Sequence, residues 1–430
     1  MSSPRRIPSW LVLTQLAAVL GIACSSSGGG GPGGGTEVRS DKVRITSPVL
    51  QAGDLVTLAT DNDHFAWDLY QAVRTGSTDN LVFSPFSISL ALAMTYGGAR
   101  TTTADQVAAT LHFSLPAERL HPTFDALDLA LEAPPAAGAD AGTFQLSLAN
   151  ALWGQKGLTF LPDFLDLLAI NYGAAMHAVD FGAGDSARLT INQWVSDQTH
   201  AKIPDLLPPG SVDPLTAFVL TNAVYFKADW QAPFEPNSPV GTFNAPAGPV
   251  QVPMMNNSVT TVSAWTGTGY RAATLPYKGG KTSMIVVVPD AGTFDAFEAG
   301  LTFDAFEAIL RSSPTTGVFL SMPRFKIDAS LSLKTVLGGL GMPDAFEDGV
   351  ADFSGIDGAR DISLTAVIHQ ALIAVDEKGT TAAAATAVIG GVVDGPGGEP
   401  LIVDRPFIYA IRDDATGTIL FLGRVLDPSK

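Results

Sequence analysis

The residue types that most often do chemistry are present in this chain, but not at spacings that let them work together. The six histidines stand at 64, 112, 121, 177, 200 and 369, with no pair three or four residues apart to share a helix face and a metal ion. No G-x-S-x-G elbow, H-E-x-x-H helix, phosphate-binding loop or usable dinucleotide fingerprint occurs. "WTGTGYRA", Trp265 to Ala272, has a G-x-G pair but no third glycine, and reads as a turn. Asp413 and Asp414, beside Ala415-Thr416-Gly417, read as solvated turn carboxylates rather than an acid and base pair. The one cysteine, Cys24, excludes an intrachain disulfide. The expectation is a chain that is not an enzyme and takes no metal and no cofactor.

What stands out instead is a stretch without reactive groups. "EKGTTAAAATAVIGGVVDGPGGEP", Glu377 to Pro400, carries no charge between Lys378 and Asp394, and nothing large enough to anchor a core before Val388. Alanine favours a helix locally. Thr380-Thr381, Thr386 and Val388-Ile389 dilute that preference, and no capping pattern brackets the run.

The elements around it are legible from periodicity. Leu58, Phe65, Leu69 and Val73 give Leu55–Thr75 a helical rhythm. From Asn80 a short strand leads to Ser84-Pro85, which opens an apolar helix ended by Gly97-Gly98. Phe144–Gln155 alternates like a strand, and Pro162–Ala174 is helical. "TFDAFEA" occurs twice, from Thr293 and from Thr302, as successive amphipathic turns rather than a repeat array. Long strands follow, closing with two around an Asp-Asp-Ala-Thr-Gly turn. Helices in the first half and strands in the second predict an α+β domain. The 430 residues, 46% hydrophobic and 16% charged, supply an ample core.

The N-terminus reads as an export signal over residues 1–23. Arg5 and Arg6 precede an apolar stretch, Trp10 to Ala23, too short to span a bilayer. "LGIAC" resembles a bacterial lipoprotein signal in which Cys24 becomes the lipidated first residue, although Gly21 stands where a large aliphatic is usual. "SSSGGGGPGGG" then reads as a flexible tether, so residues 24–50 are assigned to a linker and 51–430 to one domain. Removing residues 1–23 takes away two arginines and no acid, moving the net charge from −17 to −19. So acidic a chain argues against nucleic-acid and glycosaminoglycan partners. Leu120–Ala133 has no basic cluster, so activation by heparin is not expected. The expected location is the bacterial cell envelope or the extracellular space, and the expected state a monomer.

Several long motifs, in order, carry a resemblance. "NLVFSPFSISLALAMTYGGARTTTADQVAATL", "LTNAVYFKADWQAPF", "VPMM", "LPYKGG", "FSGI", "VDEKGTTAAAATA" and "DRPFIYAIRDDATGTILFLGRVLDP" together resemble the serpins, over essentially all of residues 55–430. The resemblance implies three β-sheets with about nine helices and an exposed reactive-centre loop. It implies a suicide substrate: a serine protease attacks the loop, forms an acyl-enzyme, and is distorted as the loop inserts into the central sheet. Glu377, Gly379, Thr380, Ala382, Ala383 and Ala384 match the family's hinge. Ser84, Ser87, Asn222 and His369 match a polar shutter beneath the central strands, and Trp230 and Arg324 a breach where insertion begins. The resemblance, through the family's spacing from the hinge, implies cleavage at Val393–Asp394, with register alternatives after Val392 or Ile389. These aliphatic residues suit the shallow apolar pocket of an elastase-like or subtilisin-like protease.

With that implication the bland run acquires a physical meaning. Thr380 to Val393, extended at ~3.3 Å per residue, spans about 46 Å, a long central strand. Thr380, Ala382, Ala384, Thr386 and Val388 would face one way, all small or apolar, so burial strands no charge. A dozen new ladder bonds at about 0.5–1.5 kcal/mol each rival a whole domain's ~5–15 kcal/mol. An uninserted loop would then be metastable. The alternative is a non-inhibitory binding or structural module, for which a charged or proline-bearing hinge would be the sign.

Overall fold

The computed structural model describes residues 35–133, 142–312, 316–380 and 398–430, with the side chains of 258–260 excepted. Its fold is α+β, with ten α-helices among the described residues. The first eight are α1 (Asp54–Arg74), α2 (Pro85–Tyr96), α3 (Thr101–Thr110), α4 (Ala117–Glu132), α5 (Pro162–Tyr172), α6 (Asp185–Gln198), α7 (Phe294–Gly300) and α8 (Phe303–Arg311). The strands are β1 (Thr36–Val38), β2 (Leu81–Phe83), β3 (Phe144–Gln155), β4 (Met176–Val179), β5 (Phe218–Asp229), β6 (Val240–Ala245), β7 (Gly248–Gly267) and β8 (Tyr270–Pro276). They continue with β9 (Thr282–Pro289), β10 (Thr316–Pro323), β11 (Phe325–Ser332), β12 (Ala366–Val375), β13 (Gly379–Thr380), β14 (Leu401–Ile402), β15 (Phe407–Asp413) and β16 (Ile419–Val425).

Seven strands form the central sheet in the order β1-β4-β3-β5-β13-β12-β11. The others form a nine-stranded set, β14-β10-β7-β8-β9-β15-β16-β2, with β6 paired to β7. Three sheets were expected; here the second and third are continuous. The twenty-residue β7 pairs along β10 before and after a register shift between Val318 and Leu320, and so bridges both. β9 and β16 are buried at every residue and are mostly apolar; the one charge, Arg424 in β16, is paired with the buried Glu298.

Local signals set the elements that matter for function. Ser84 caps α2, its hydroxyl accepting the Ser87 N–H at 3.2 Å, with Pro85 in the first turn. α2 is apolar on all sides, and every residue from Pro85 to Thr95 is buried. It therefore runs through the core, and its capped start lies under the central sheet. The "TFDAFEA" copies become two helices, because Gly300 ends α7 and the Thr302 hydroxyl caps α8 by accepting from the Ala305 N–H at 3.3 Å. Residues 36–45, grouped with the linker on sequence, lie against the body instead: β1 pairs antiparallel with β4, and the Ile45 N–H donates to the Ile170 carbonyl.

Candidate functional site

The middle of the central sheet has an unusual seam. β5 and β12 run parallel and pair from Val219 with Ala366 to Tyr225 with Leu372. Their outer neighbours, β3 and β11, are antiparallel to them. Beyond Tyr225 and Leu372 the two strands part, and β13 enters the gap antiparallel to both. Gly379 lies opposite Asp229, and Thr380 opposite Ala228 and Val375. A strand continuing that way would exchange one parallel ladder for two antiparallel ones, the somewhat stronger pairing.

The entry is closely fitted. A Cβ on Gly379 would lie 2.0 Å from the Ala228 carbonyl oxygen, so only glycine lets the chain approach β5. The glycine is required by space and not by a left-handed φ. Thr380 is fully buried, and its hydroxyl and that of Tyr277 lie 2.6 Å apart. Tyr277 in turn stacks on Trp230, with centroids 4.4 Å apart. Trp230 holds the preceding turn twice: its indole N–H donates to the Asp376 carbonyl at 2.9 Å and its backbone N–H to Lys378 at 2.7 Å.

Glu377 is buried, while Arg324 is half-exposed. Arg324 Nε donates to the Glu377 carboxylate at 2.7 Å, and the Ser238 hydroxyl donates to the same oxygen. Burial opposes the charge, but these two donors outweigh it and hold the carboxyl below its ordinary range. The pair therefore sits in a more protected place than a surface ion pair.

Further down the seam the polar residues converge. Asn222 and His369 are direct partners across β5 and β12. The Ser84 backbone N–H donates to His369 Nε2 at 3.1 Å, so Nδ1 carries the proton and donates to Asn222 Oδ1. The Asn222 amide donates to the Ser87 carbonyl at 2.9 Å, to the Ser87 hydroxyl at 2.6 Å, and to Asn150 Oδ1. Complete burial lowers the His369 pKa to about 3, keeping the ring neutral. Ser84, Ser87, Asn222 and His369 thus form one network, as do Trp230, Arg324, Glu377, Gly379 and Thr380 above them.

Three participants were not singled out on sequence. Asn150 on β3 lies opposite Asn222 and extends the network to a third strand. It is a lone amide in "LSLANALW", with no local signal beyond its polarity. Tyr277 and Ser238 come from connections whose contact with the hinge is entirely long-range. Ala382, Ala383, Ala384, Ile389, Val392, Val393 and Asp394 lie outside the described residues, as does Cys24.

The family model described as serpin (serine protease inhibitor) matches residues 60–428. The chain is 37% identical over 375 residues to the leukocyte elastase inhibitor of Xenopus laevis, covering 85% of this chain and 98% of that one. It is 37% identical over 386 residues to an uncharacterized serpin-like protein of Thermococcus kodakarensis, covering 88% of each. Among solved structures, Serpin48 of the insect Tenebrio molitor superposes with a TM-score of 0.77 at 29% identity, over 86% of this chain and 98% of that one. That family is one of protease inhibitors rather than of enzymes. Its match spans both the polar seam and the hinge, and by sequence and by fold the chain belongs to the serpins.

Proposed function

We propose that this serpin is inhibitory: a suicide substrate that traps elastase-like or subtilisin-like serine proteases by inserting its loop into the central sheet. One observation carries the reading. Gly379 and Thr380 are seated between β5 and β12, in the direction an inserted strand must run, and the fourteen residues that follow Gly379 carry no charge. In the trapping reaction the protease serine attacks the scissile carbonyl, the amide breaks, and its amine leaves with the C-terminal fragment. The acyl ester then remains on the N-terminal fragment while insertion carries the protease away. For the strand to pass, the hydrogen bond between His369 and Asn222 must open, so the network acts as the gate on this route. The aliphatic bond at Val393–Asp394, or after Val392 or Ile389, fits an apolar specificity pocket, and relatives named leukocyte elastase inhibitor support an elastase-like target. Mixing the protein with elastase and running a denaturing gel tests this. A covalent adduct is expected, and loop cleavage without one would defeat the trapping mechanism.

The second part of the proposal concerns location. A basic, then apolar, N-terminus ending at Cys24 suits export and lipid attachment at that cysteine, placing the inhibitor on a bacterial envelope. Expressed in a bacterium fed labelled palmitate, the chain should carry label that Cys24→Ser removes. Label-free secretion of both forms would rule the anchor out.

A further inference from the structure

The edge of the central sheet is not left open. β1 lies along β4, with Thr36 opposite Ala178, Glu37 opposite His177 and Val38 opposite Met176. Gly35 approaches so closely that a Cβ would sit 2.8 Å from the Ala178 carbonyl oxygen. Past β1 the chain crosses α5: the Ser40 hydroxyl donates to Asp166, and the Ile45 N–H donates to the Ile170 carbonyl at 2.9 Å. Between those contacts Arg44 reaches α4. Its Nε donates to Asp125 at 2.7 Å and its Nη2 to Asp128 at 2.6 Å, with Glu132 3.7 Å from Nη1.

The three acids sit at i, i+3 and i+7 on one face of α4, and Asp125 and Asp128 are buried. Like charges so spaced repel, and a buried carboxylate without a partner is strongly unfavourable. Arg44 relieves both problems at once. Residues 36–45 therefore tie together three elements: the edge strand β4, helix α5 that leads into it, and helix α4, which otherwise meets α5 through packing and the hydrogen bond between His121 and the Tyr172 hydroxyl.

Opening the β5–β12 seam must shift β5, β3, β4 and β1 relative to β12 and β11. We propose that residues 36–45 are a brace that holds this half of the sheet against α4 and α5, slowing spontaneous opening and self-insertion of the loop. The brace is a regulatory device resting on the inhibitory reading above. It occupies an edge that would otherwise expose unpaired backbone groups, and it releases as a unit if the Arg44 fork is lost.

The test uses the full chain, with Arg44→Ala and Arg44→Lys beside the unaltered protein. Each is assayed for adduct formation with elastase when fresh and through incubation at raised temperature, and for conversion to a urea-resistant form. Arg44→Ala should match the unaltered protein when fresh and convert about tenfold faster, the factor that corresponds to about 1.4 kcal/mol. Lysine keeps the charge but lacks the rigid planar fork by which Nε and Nη2 meet two carboxylates, so Arg44→Lys should shift the same way by less. It also serves if Arg44→Ala does not fold. Conversion rates agreeing within about twofold would overturn the brace. So would loss of activity by unfolding, with no resistant form. Failure of the fresh unaltered protein to form an adduct would count against the inhibitory reading alone, because the conversion rate is measured without a protease.

Discussion

Gly379 and Thr380 are where single residues decide the outcome. The backbone passes β5 too closely for a Cβ, and the next side chain is sealed against Tyr277. Arginine at 380 would bring a charge into a buried site where, among the described residues, the Thr380 side chain meets the Tyr277 hydroxyl and no carboxylate, which burial penalises by several kcal/mol. Thr380→Arg should therefore leave the loop cleavable while cutting adduct yield at least about tenfold, since ~1.4 kcal/mol suffices for that. The partition between adduct and cleaved chain on a denaturing gel reads it, and an unchanged partition would mean insertion is not the trap. His369 gives a pH signature. Its folded pKa, about 3, lies below an ordinary histidine's 6.5, so the stability it contributes is present above pH 6.5 and is lost as pH falls toward 3. The slope across that window is roughly 1 kcal/mol per pH unit. Urea unfolding midpoints of the native chain and His369→Gln should converge as pH drops from 7.5 to 4. Parallel curves would dissociate His369 from the acid response.

At the scale of elements, the periodic segments were legible because their signals are local. α1, α2 and β3 begin and end within a residue or two of their sequence bounds, set by apolar rhythm, the Ser84-Pro85 cap and the Gly97-Gly98 stop. The candidate hinge and polar residues were legible only as matches to family motifs. Each alone is an ordinary buried polar group or alanine. Asn150, β1 and the Arg44 fork were not legible, because each is defined by a partner dozens of residues away. A three-residue strand after a glycine tract has no periodicity to detect. The seam also carries a prediction of its own. A peptide of sequence TTAAAATAVIGGVV, copied from Thr380–Val393, should anneal between β5 and β12 and abolish adduct formation. At ~2–4 °C per kcal/mol, several kcal/mol of new pairing should raise the melting temperature by on the order of 10 °C. Binding that leaves inhibition intact would show that the gap is not the loop's destination.

For the whole molecule, the account is one of stored free energy. The described fold is complete around a central sheet that still has a parallel seam, with a strand's worth of small, uncharged residues attached at its top. On the proposed mechanism such a protein spends its stability once, on the protease that cuts it. The acidic net charge and the N-terminal sequence bear on the proposed location, and not on the trapping step. The most direct measurement is the intact mass of the product formed with elastase under denaturing conditions. The account predicts one species equal to the protease plus the N-terminal fragment ending at Val393, Val392 or Ile389, less one water. The matching C-terminal fragment should be released free. Two separate masses, unmodified protease and hydrolysed inhibitor fragments, would contradict it.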